Sequence, residues 1–210
     1  MIWIVSGVSS VGKSTFIGSQ RAYEITGLSS EAKVVFPFDA FEELSISDRD
    51  FFFHYNIMRP FWIILRRHPI MYLLASRPNL PCYKYLRKGW FWRRFGKRWN
   101  YKIDSKWSAL VATRQTKNAI VLITNPVVLL ERVHSREHGE RLGASRRRTD
   151  YKGASWGEVY KQVDLLAIHM AWLRELESVG IEYLILDATD HGFEHIMDLA
   201  RMQAILRGES

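Results

Sequence analysis

Short apolar runs alternate with longer amphipathic segments along this chain. The runs at 1–6 (MIWIVS), 33–38 (KVVFPF), 119–124 (AIVLIT) and 181–186 (IEYLIL) have the composition of buried strands. Apolar residues at helical spacing occupy most of the segments between them. Strands that alternate with helices over short connections predict an α/β domain with a mainly parallel sheet.

The predicted helices begin at recognisable signals. Two of them follow a capping box, Ser47 with Asp50 and Ser155 with Glu158. Residues 69–117 have no periodicity that separates helix from strand. The predicted helices cover about 12–25, 51–68, 126–138, 155–179 and 193–206.

Composition indicates how many domains the chain forms and in which cellular compartment we expect it. With 210 residues, of which 47% are hydrophobic, the chain can bury one sizeable core. We therefore expect a single domain over 1–210 with a helical insertion over 45–117. The one cysteine, Cys82, cannot form an intramolecular disulfide, which favours a reducing compartment. No basic leader precedes the first strand, and no uncharged apolar run approaches the roughly 18 residues of a membrane-spanning helix, so we expect a cytoplasmic protein.

The positive charge of the chain is concentrated in one segment. The net charge is +8, yet residues 51–103 contain 12 Lys and Arg and no Asp or Glu, which leaves −4 for the rest of the chain. Such asymmetry predicts a polyanionic partner or substrate.

A loop near the start of the chain, residues 7–14 (GVSSVGKS), fits the pattern G-x-x-x-x-G-K-[ST] between a predicted strand and a predicted helix. In this glycine loop, backbone N–H groups would turn inward around phosphates, and the helix N-terminus would add its dipole. Lys13 would reach the terminal phosphates, and the Ser14 hydroxyl would bind Mg²⁺. The pattern therefore predicts a nucleotide site. Its candidate residues are Gly7, Ser9, Gly12, Lys13, Ser14 and Thr15.

Two other classes of nucleotide-binding protein fit the sequence poorly. A GTPase would carry an N-K-x-D signature, which is absent, and the D-x-x-G pattern at 150–153 lies in a late basic stretch. A motor-type ATPase would place an acidic pair after an apolar strand, but Ala188 follows Asp187 at the end of the last predicted strand. The sequence therefore favours neither a GTPase nor a motor-type ATPase.

The C-terminal half resembles the P-loop kinases of the nucleoside and nucleotide kinase group. The matching stretches are AIVLITNP, VVLLERVHSRE, GERLGASRRR, YKQVDLLAIHMAWLREL and IEYLILDAT. In that family a strand ends in a proline-containing turn and a helix carries L-x-x-R-x-x-x-R. An arginine-rich lid, a long helix and a last strand follow. Together with the glycine loop the resemblance covers about 1–40 and 118–210, and it implies a three-layer P-loop NTPase fold that uses ATP and Mg²⁺.

The resemblance also implies roles for single residues. Arg132 would lie near the adenine, and Arg136 would stand at the base of a lid over 136–155. Asp187 would flank the adenine or, alternatively, cap a turn at the end of its strand. Phosphoryl transfer depends on positioning and on neutralising charge, which lid arginines would supply by closing over the phosphates. These arginines are Arg141, Arg146, Arg147 and Arg148, of which Arg141 is, with Arg136, a candidate catalytic residue.

Asp39 is the candidate residue on the acceptor side. It follows a predicted strand, where the resemblance implies an acid that orients or deprotonates the acceptor hydroxyl. The alternatives are an N-cap for the segment that starts at Phe41, and Glu42 or Glu43 as the acid. Members of the family also have a further strand that ends in an acid, whereas 51–103 contains none. We therefore expect an acceptor pocket unlike theirs.

Residues 83–102 (YKYLRKGWFWRRFGKRWNYK), the basic aromatic segment, contain eight basic and eight aromatic residues. Cations that neutralise phosphates and rings that stack on unpaired bases suit single-stranded or flipped-out nucleic acid. An anionic membrane surface and a helical subdomain with its own aromatic core are the alternatives. The candidate nucleic-acid contacts are Lys84, Arg87, Trp90, Trp92, Arg93, Arg94, Arg98 and Trp99.

Together these features predict a kinase that uses ATP and Mg²⁺ to phosphorylate a hydroxyl. The acceptor would be a nucleoside, a nucleotide or a nucleotide unit in DNA or RNA, such as a hydroxymethylated base in DNA. A nucleic-acid-stimulated NTPase without phosphoryl transfer, and a binding module with a structural nucleotide site, remain as alternatives.

Overall fold

A six-stranded sheet organises the part of the chain that the computed structural model describes, residues 1–36, 49–58, 116–141, 157, 160, 161 and 163–209. The strand order is β2-β3-β1-β4-β5-β6; the first five strands run parallel and β6 is antiparallel. This confirms the α/β class with a mainly parallel sheet. The strands are β1 (Ile2–Gly7), β2 (Lys33–Val35), β3 (Phe51–Asn56), β4 (Thr116–Ile123), β5 (Glu182–Asp187) and β6 (Glu194–Ile196).

Helices connect the strands and pack on the sheet, in an arrangement compatible with the predicted three layers. They are α1 (Lys13–Ile17), α2 (Gln20–Thr26), α3 (Pro126–Arg141), α4 (Leu165–Ser178) and α5 (Leu199–Arg207). None of the helices in this part of the chain is long and apolar enough to cross a membrane.

The helix predicted over 51–68 is wrong where the structure describes that stretch, because 51–56 form strand β3. Phe51, Phe52 and Phe53 are buried between β1 and β2. A strand flanked on both sides in a parallel sheet shows a continuous apolar run without alternation. Such a run looks the same as the buried part of a helix.

Two predicted helices are each divided by a side-chain cap. The segment 12–25 forms α1 and α2, because the Ser19 hydroxyl accepts a hydrogen bond from the Ala22 N–H at 3.2 Å and starts a new helix. The segment 155–179 is helical at Lys161 and starts again as α4, where the Asp164 carboxylate caps the Ala167 N–H at 2.9 Å.

The predicted final helix, 193–206, starts later than expected. Its first residues form the antiparallel strand β6, which pairs with β5. Helix α5 begins only after Asp198, whose carboxylate accepts from the Ala200 N–H at 2.9 Å.

The end of β1 is where the topology places a binding crevice. The connection after β1 leads to β2 on one side, and the connection after β4 leads to β5 on the other. In parallel α/β sheets, ligands bind outside the carboxyl ends of two such neighbouring strands. The glycine loop continues β1 at this place.

An aromatic contact fixes the strands beneath the glycine loop. The indole of Trp172 on α4 stacks on Tyr55 of β3 with ring centroids 4.9 Å apart, and its N–H donates to the Ser6 hydroxyl at 2.8 Å. That hydroxyl donates to the Ile120 carbonyl of β4 at 3.0 Å. Helix α4 therefore ties together the three strands around the loop.

Predictions for 37–48, 59–115 and 142–156 lie outside the described residues. These include Asp39, the basic aromatic segment with all its candidate nucleic-acid contacts, and the lid arginines Arg146, Arg147 and Arg148.

Candidate functional site

The glycine loop has the backbone shape that its residues predict. Gly7 and Gly12 have φ of +147° and +109°, and Ser10 between them has φ of +66°. A Cβ atom on Gly7 would lie 2.8 Å from the Leu122 carbonyl oxygen, so only glycine fits there. Gly12 is the N-cap of α1, in which the Phe16 N–H donates to the Gly12 carbonyl at 2.8 Å. The preceding N–H groups of α1 therefore lie beyond the reach of the helix's own carbonyls.

Lys13 is folded back onto the loop that carries it. Its Nζ donates to the carbonyls of Gly7 at 2.9 Å and Val8 at 2.5 Å, and the residue is 5% exposed. Burial, with a smaller effect of the positive charge of Arg136, lowers the pKa of Lys13 to about 7. The ammonium is thus held by two neutral carbonyls, with no carboxylate among its bonding partners in the described residues.

Two further side chains bind carbonyls of the same loop. The Tyr160 hydroxyl donates to the Ser9 carbonyl at 3.1 Å, and the Arg132 guanidinium donates to the Val11 carbonyl at 3.2 Å. Carbonyls 7, 8, 9 and 11 are therefore all occupied by side-chain donors. With these carbonyls engaged, the hydrogen-bonding groups that the loop backbone has left for a ligand are mainly N–H groups, and such a surface favours anions.

Arg132 also connects the loop to the end of β5. Its guanidinium donates to the carbonyls of Ala188 and Thr189, both at 2.8 Å, and to Nε2 of His191 at 3.3 Å. Burial lowers the pKa of Arg132, while the charges of Asp187 and Asp190 oppose that shift. Arg132 therefore links the glycine loop to the turn after β5.

The turn after β5 is held by Asp187 and by an aromatic anchor. Asp187 Oδ1 accepts from the N–H and the hydroxyl of Thr189 at 2.9 and 2.5 Å, so it caps this turn. His191 and Phe193 have φ of +64° and +51°. The Phe193 ring packs edge-on against Phe16 of α1 with centroids 5.1 Å apart, which holds the turn against the loop's own helix.

A polar residue that the sequence argument missed lies at the end of β3. Asn56 pairs with Gly7 in the parallel ladder, and the Ile57 N–H donates to the Gly7 carbonyl at 3.3 Å. The Asn56 carboxamide accepts from the Met58 N–H at 3.0 Å. The signal in the sequence is an apolar run followed by a short polar residue, but such a run equally predicts a helix.

The structure brings together most of the predicted phosphate-binding residues. Ser14 and Thr15 are exposed in the first turn of α1. Arg136 is exposed on α3, and its charge acts on both Lys13 and Tyr160. Arg141 is the last residue of α3, and its side chain lies outside the described part of the structure. The residues brought to one edge of the sheet are Gly7, Ser9, Gly12, Lys13, Arg132 and Asp187.

Within the described residues, no group of three or more His, Cys, Asp or Glu side chains could hold a metal ion. The exposed Ser14 hydroxyl beside the donor-rich loop fits a Mg²⁺ ion that arrives with nucleotide phosphates, since Mg²⁺ is commonly bound by few protein ligands and by substrate oxygens.

Comparison of the chain with models of protein families, with curated proteins and with solved structures gives no match. The function is therefore inferred from the loop and its neighbours.

Proposed function

We propose that this chain is a P-loop kinase, which transfers the γ-phosphate of ATP to a hydroxyl group in the presence of Mg²⁺. One observation carries the proposal. Lys13, Tyr160 and Arg132 occupy the carbonyls of the glycine loop, so that its N–H groups are left to bind the oxygens of a phosphate chain.

Each residue of the site has a place in such a reaction. The loop N–H groups would hold the phosphates. The Lys13 ammonium uses two of its three N–H groups on the Gly7 and Val8 carbonyls, and the third would donate to a terminal phosphate oxygen. Ser14 would hold Mg²⁺, which neutralises phosphate charge when it is bound. Arg136 adds positive charge near the loop, where negative charge develops during transfer.

The elements around the loop support a kinase of the nucleoside and nucleotide group. Helix α3 follows a proline turn, as that family's helix does, and its Arg132 contacts both the glycine loop and the segment after Asp187. Strand β3 supplies the additional strand that those kinases place before the proline-turn strand.

The acceptor side of the proposal rests on the sequence. Asp39 would orient or deprotonate the acceptor hydroxyl. The basic aromatic segment would hold a polynucleotide, because each neutralised phosphate adds salt-dependent affinity. A nucleotide unit in DNA or RNA is therefore the acceptor we propose first, ahead of a free nucleoside or nucleotide.

A transfer assay with ATP labelled at the γ-phosphate tests this proposal. The acceptor panel holds free nucleosides, nucleotides, single-stranded and duplex DNA with and without hydroxymethylated bases, and RNA. We expect label in at least one acceptor, and none with Lys13→Ala. An unchanged turnover in Lys13→Ala would contradict the proposal, and a fully active Asp39→Asn would remove Asp39 from the mechanism.

A nucleic-acid-stimulated NTPase is the second candidate. The observation that favours it is the end of β3, where Asn56 provides a neutral amide beside the loop instead of an acid that could take a proton. In the same assay this activity would leave label only in free phosphate, and added polynucleotide would increase its release.

A further inference from the structure

Asn56 lies beside Gly7, the residue whose carbonyl accepts a hydrogen bond from Lys13. In the parallel ladder Asn56 is opposite Gly7, which places the two Cα atoms about 4.8 Å apart. The Gly7 carbonyl accepts from Lys13 Nζ at 2.9 Å and from the Ile57 N–H at 3.3 Å. Asn56 is therefore adjacent to the peptide group on which the lysine rests.

The orientation of the Asn56 carboxamide follows from its one hydrogen bond. Its Oδ1 accepts from the Met58 N–H at 3.0 Å, and because only the oxygen of an amide can accept, that bond distinguishes the two ends of the group. The other end is an NH₂ group with two donors. It has no hydrogen-bond partner within the described residues, and the residue as a whole is partly exposed.

We infer that the Asn56 amide nitrogen donates a hydrogen bond to a terminal phosphoryl oxygen of a nucleoside triphosphate held in the glycine loop. The inference rests on the proposed function and makes it more specific. A carboxylate here would bind a metal ion or accept a proton, and it would repel an approaching phosphate. A neutral amide donor would stabilise the same oxygen without repulsion.

A matched pair of variants separates this donor role from the capping of the turn. Asn56→Asp has nearly the same shape and keeps the oxygen that accepts from the Met58 N–H, but it loses both donors and gains a negative charge. Asn56→Ala loses the cap and the donors together. The measurement is the affinity, with Mg²⁺, of a non-hydrolysable nucleoside triphosphate and of the corresponding diphosphate.

For Asn56→Asp we expect triphosphate affinity to fall about tenfold or more, because the loss of one hydrogen bond to a charged group has an effect of about this size. We expect about threefold or smaller loss of diphosphate affinity, because the contact involves the terminal phosphoryl group. Asn56→Ala should also lose triphosphate affinity. Denaturant unfolding of each variant checks separately that it is folded.

Three outcomes would overturn the inference. Wild-type triphosphate affinity in Asn56→Asp would mean that Asn56 only caps the turn. Tighter binding by Asn56→Asp with Mg²⁺ would mark the position as a metal ligand. Equal losses for the diphosphate and the triphosphate would place the contact elsewhere on the nucleotide.

The binding measurements distinguish an error in the Asn56 contact from an error in the proposed function. If Lys13→Ala abolishes nucleotide binding while Asn56→Asp binds normally, the Asn56 contact alone is wrong. If the wild-type chain binds neither nucleotide, the proposed function is wrong and the Asn56 contact is wrong with it.

Discussion

The hydroxyl of Tyr160 donates a hydrogen bond to the carbonyl of Ser9 across 3.1 Å, although 151 positions separate the two residues in the chain. Tyr160 is 5% exposed, and burial raises its pKa, so the hydroxyl keeps its proton and remains a donor throughout the physiological range. This bond joins the segment before α4 to the middle of the glycine loop.

Replacing Tyr160 with phenylalanine tests the contribution of that bond. We expect Tyr160→Phe to lose about 1 kcal/mol of unfolding free energy, and to bind nucleoside triphosphate several-fold more weakly because the Ser9 peptide is released. Denaturant unfolding and nucleotide titration measure the two effects. Tyr183→Phe is the matched control, since its hydroxyl donates to the Glu177 carboxylate at the surface, and nucleotide binding should not change there. Equal nucleotide affinities in both variants would contradict the prediction.

The lowered pKa of Lys13 predicts that nucleotide binding takes up a proton. In the free protein its pKa is about 7, so above pH 7 the amine is largely neutral. Phosphate oxygens favour the ammonium form and raise this pKa in the complex. Near pH 8 we therefore expect proton uptake, and affinity that falls with rising pH by at most about tenfold per unit.

Calorimetric titration in two buffers of different ionisation enthalpy counts these protons. Lys13→Arg is the control, because a guanidinium stays charged throughout this range and should show no uptake. A wild-type binding enthalpy that is independent of the buffer at pH 8 would contradict the prediction.

The close contact at Gly7 predicts that alanine is poorly tolerated there. A Cβ atom would lie 2.8 Å from the Leu122 carbonyl oxygen, in a backbone conformation with φ of +147°. We expect Gly7→Ala to reduce the free energy of unfolding by about 3 kcal/mol. Gly27→Ala is the control, since Gly27 has φ of +70° with nothing within 4 Å of its Cβ position, and it should cost about 1 kcal/mol. Equal losses in a denaturant titration would show that the contact with Leu122 relaxes.

The buried His169 predicts a loss of stability in acid. Burial lowers its pKa from 6.5 to about 4, with a smaller effect of the Lys13 charge in the same direction. The unfolded chain therefore binds a proton that the native state does not, so the free energy of unfolding falls as the pH falls from 6.5 to 4, by at most about 3 kcal/mol. Above pH 6.5 His169 is neutral in both the native and the unfolded state, so it no longer makes the free energy of unfolding depend on pH.

Urea unfolding of the wild type and of His169→Leu across that pH range isolates the effect. The wild type should lose more stability than the variant between pH 6.5 and 4. Parallel pH profiles would show that His169 does not cause the loss.

Local patterns allowed the glycine loop and the parallel sheet to be predicted. The spacing in GVSSVGKS specifies a backbone shape that its own residues can adopt, and the positive φ angles of Gly7 and Gly12 agree with it. The strands at 119–124 and 181–186 were identified for a similar reason, because β-branched and apolar residues cluster there between turn signals.

The remaining features depend on contacts between distant parts of the chain. Phe51–Asn56 becomes a strand because β1 and β2 flank it, and no local feature separates that run from a helix. Tyr160 reaches Ser9 only through the packing of its helical segment. Arg132 was expected near the adenine, a role that stays a prediction, while its bonds to three carbonyls depend on where the turn after β5 lies.

The side-chain donors on carbonyls 7, 8, 9 and 11 have a consequence for selectivity between ions. With those oxygens occupied, a bare cation or an ammonium ligand finds four fewer acceptors on the loop. An anion can still accept hydrogen bonds from the loop N–H groups, and its own oxygens can then coordinate a cation. The loop therefore favours an anion over a bare metal ion.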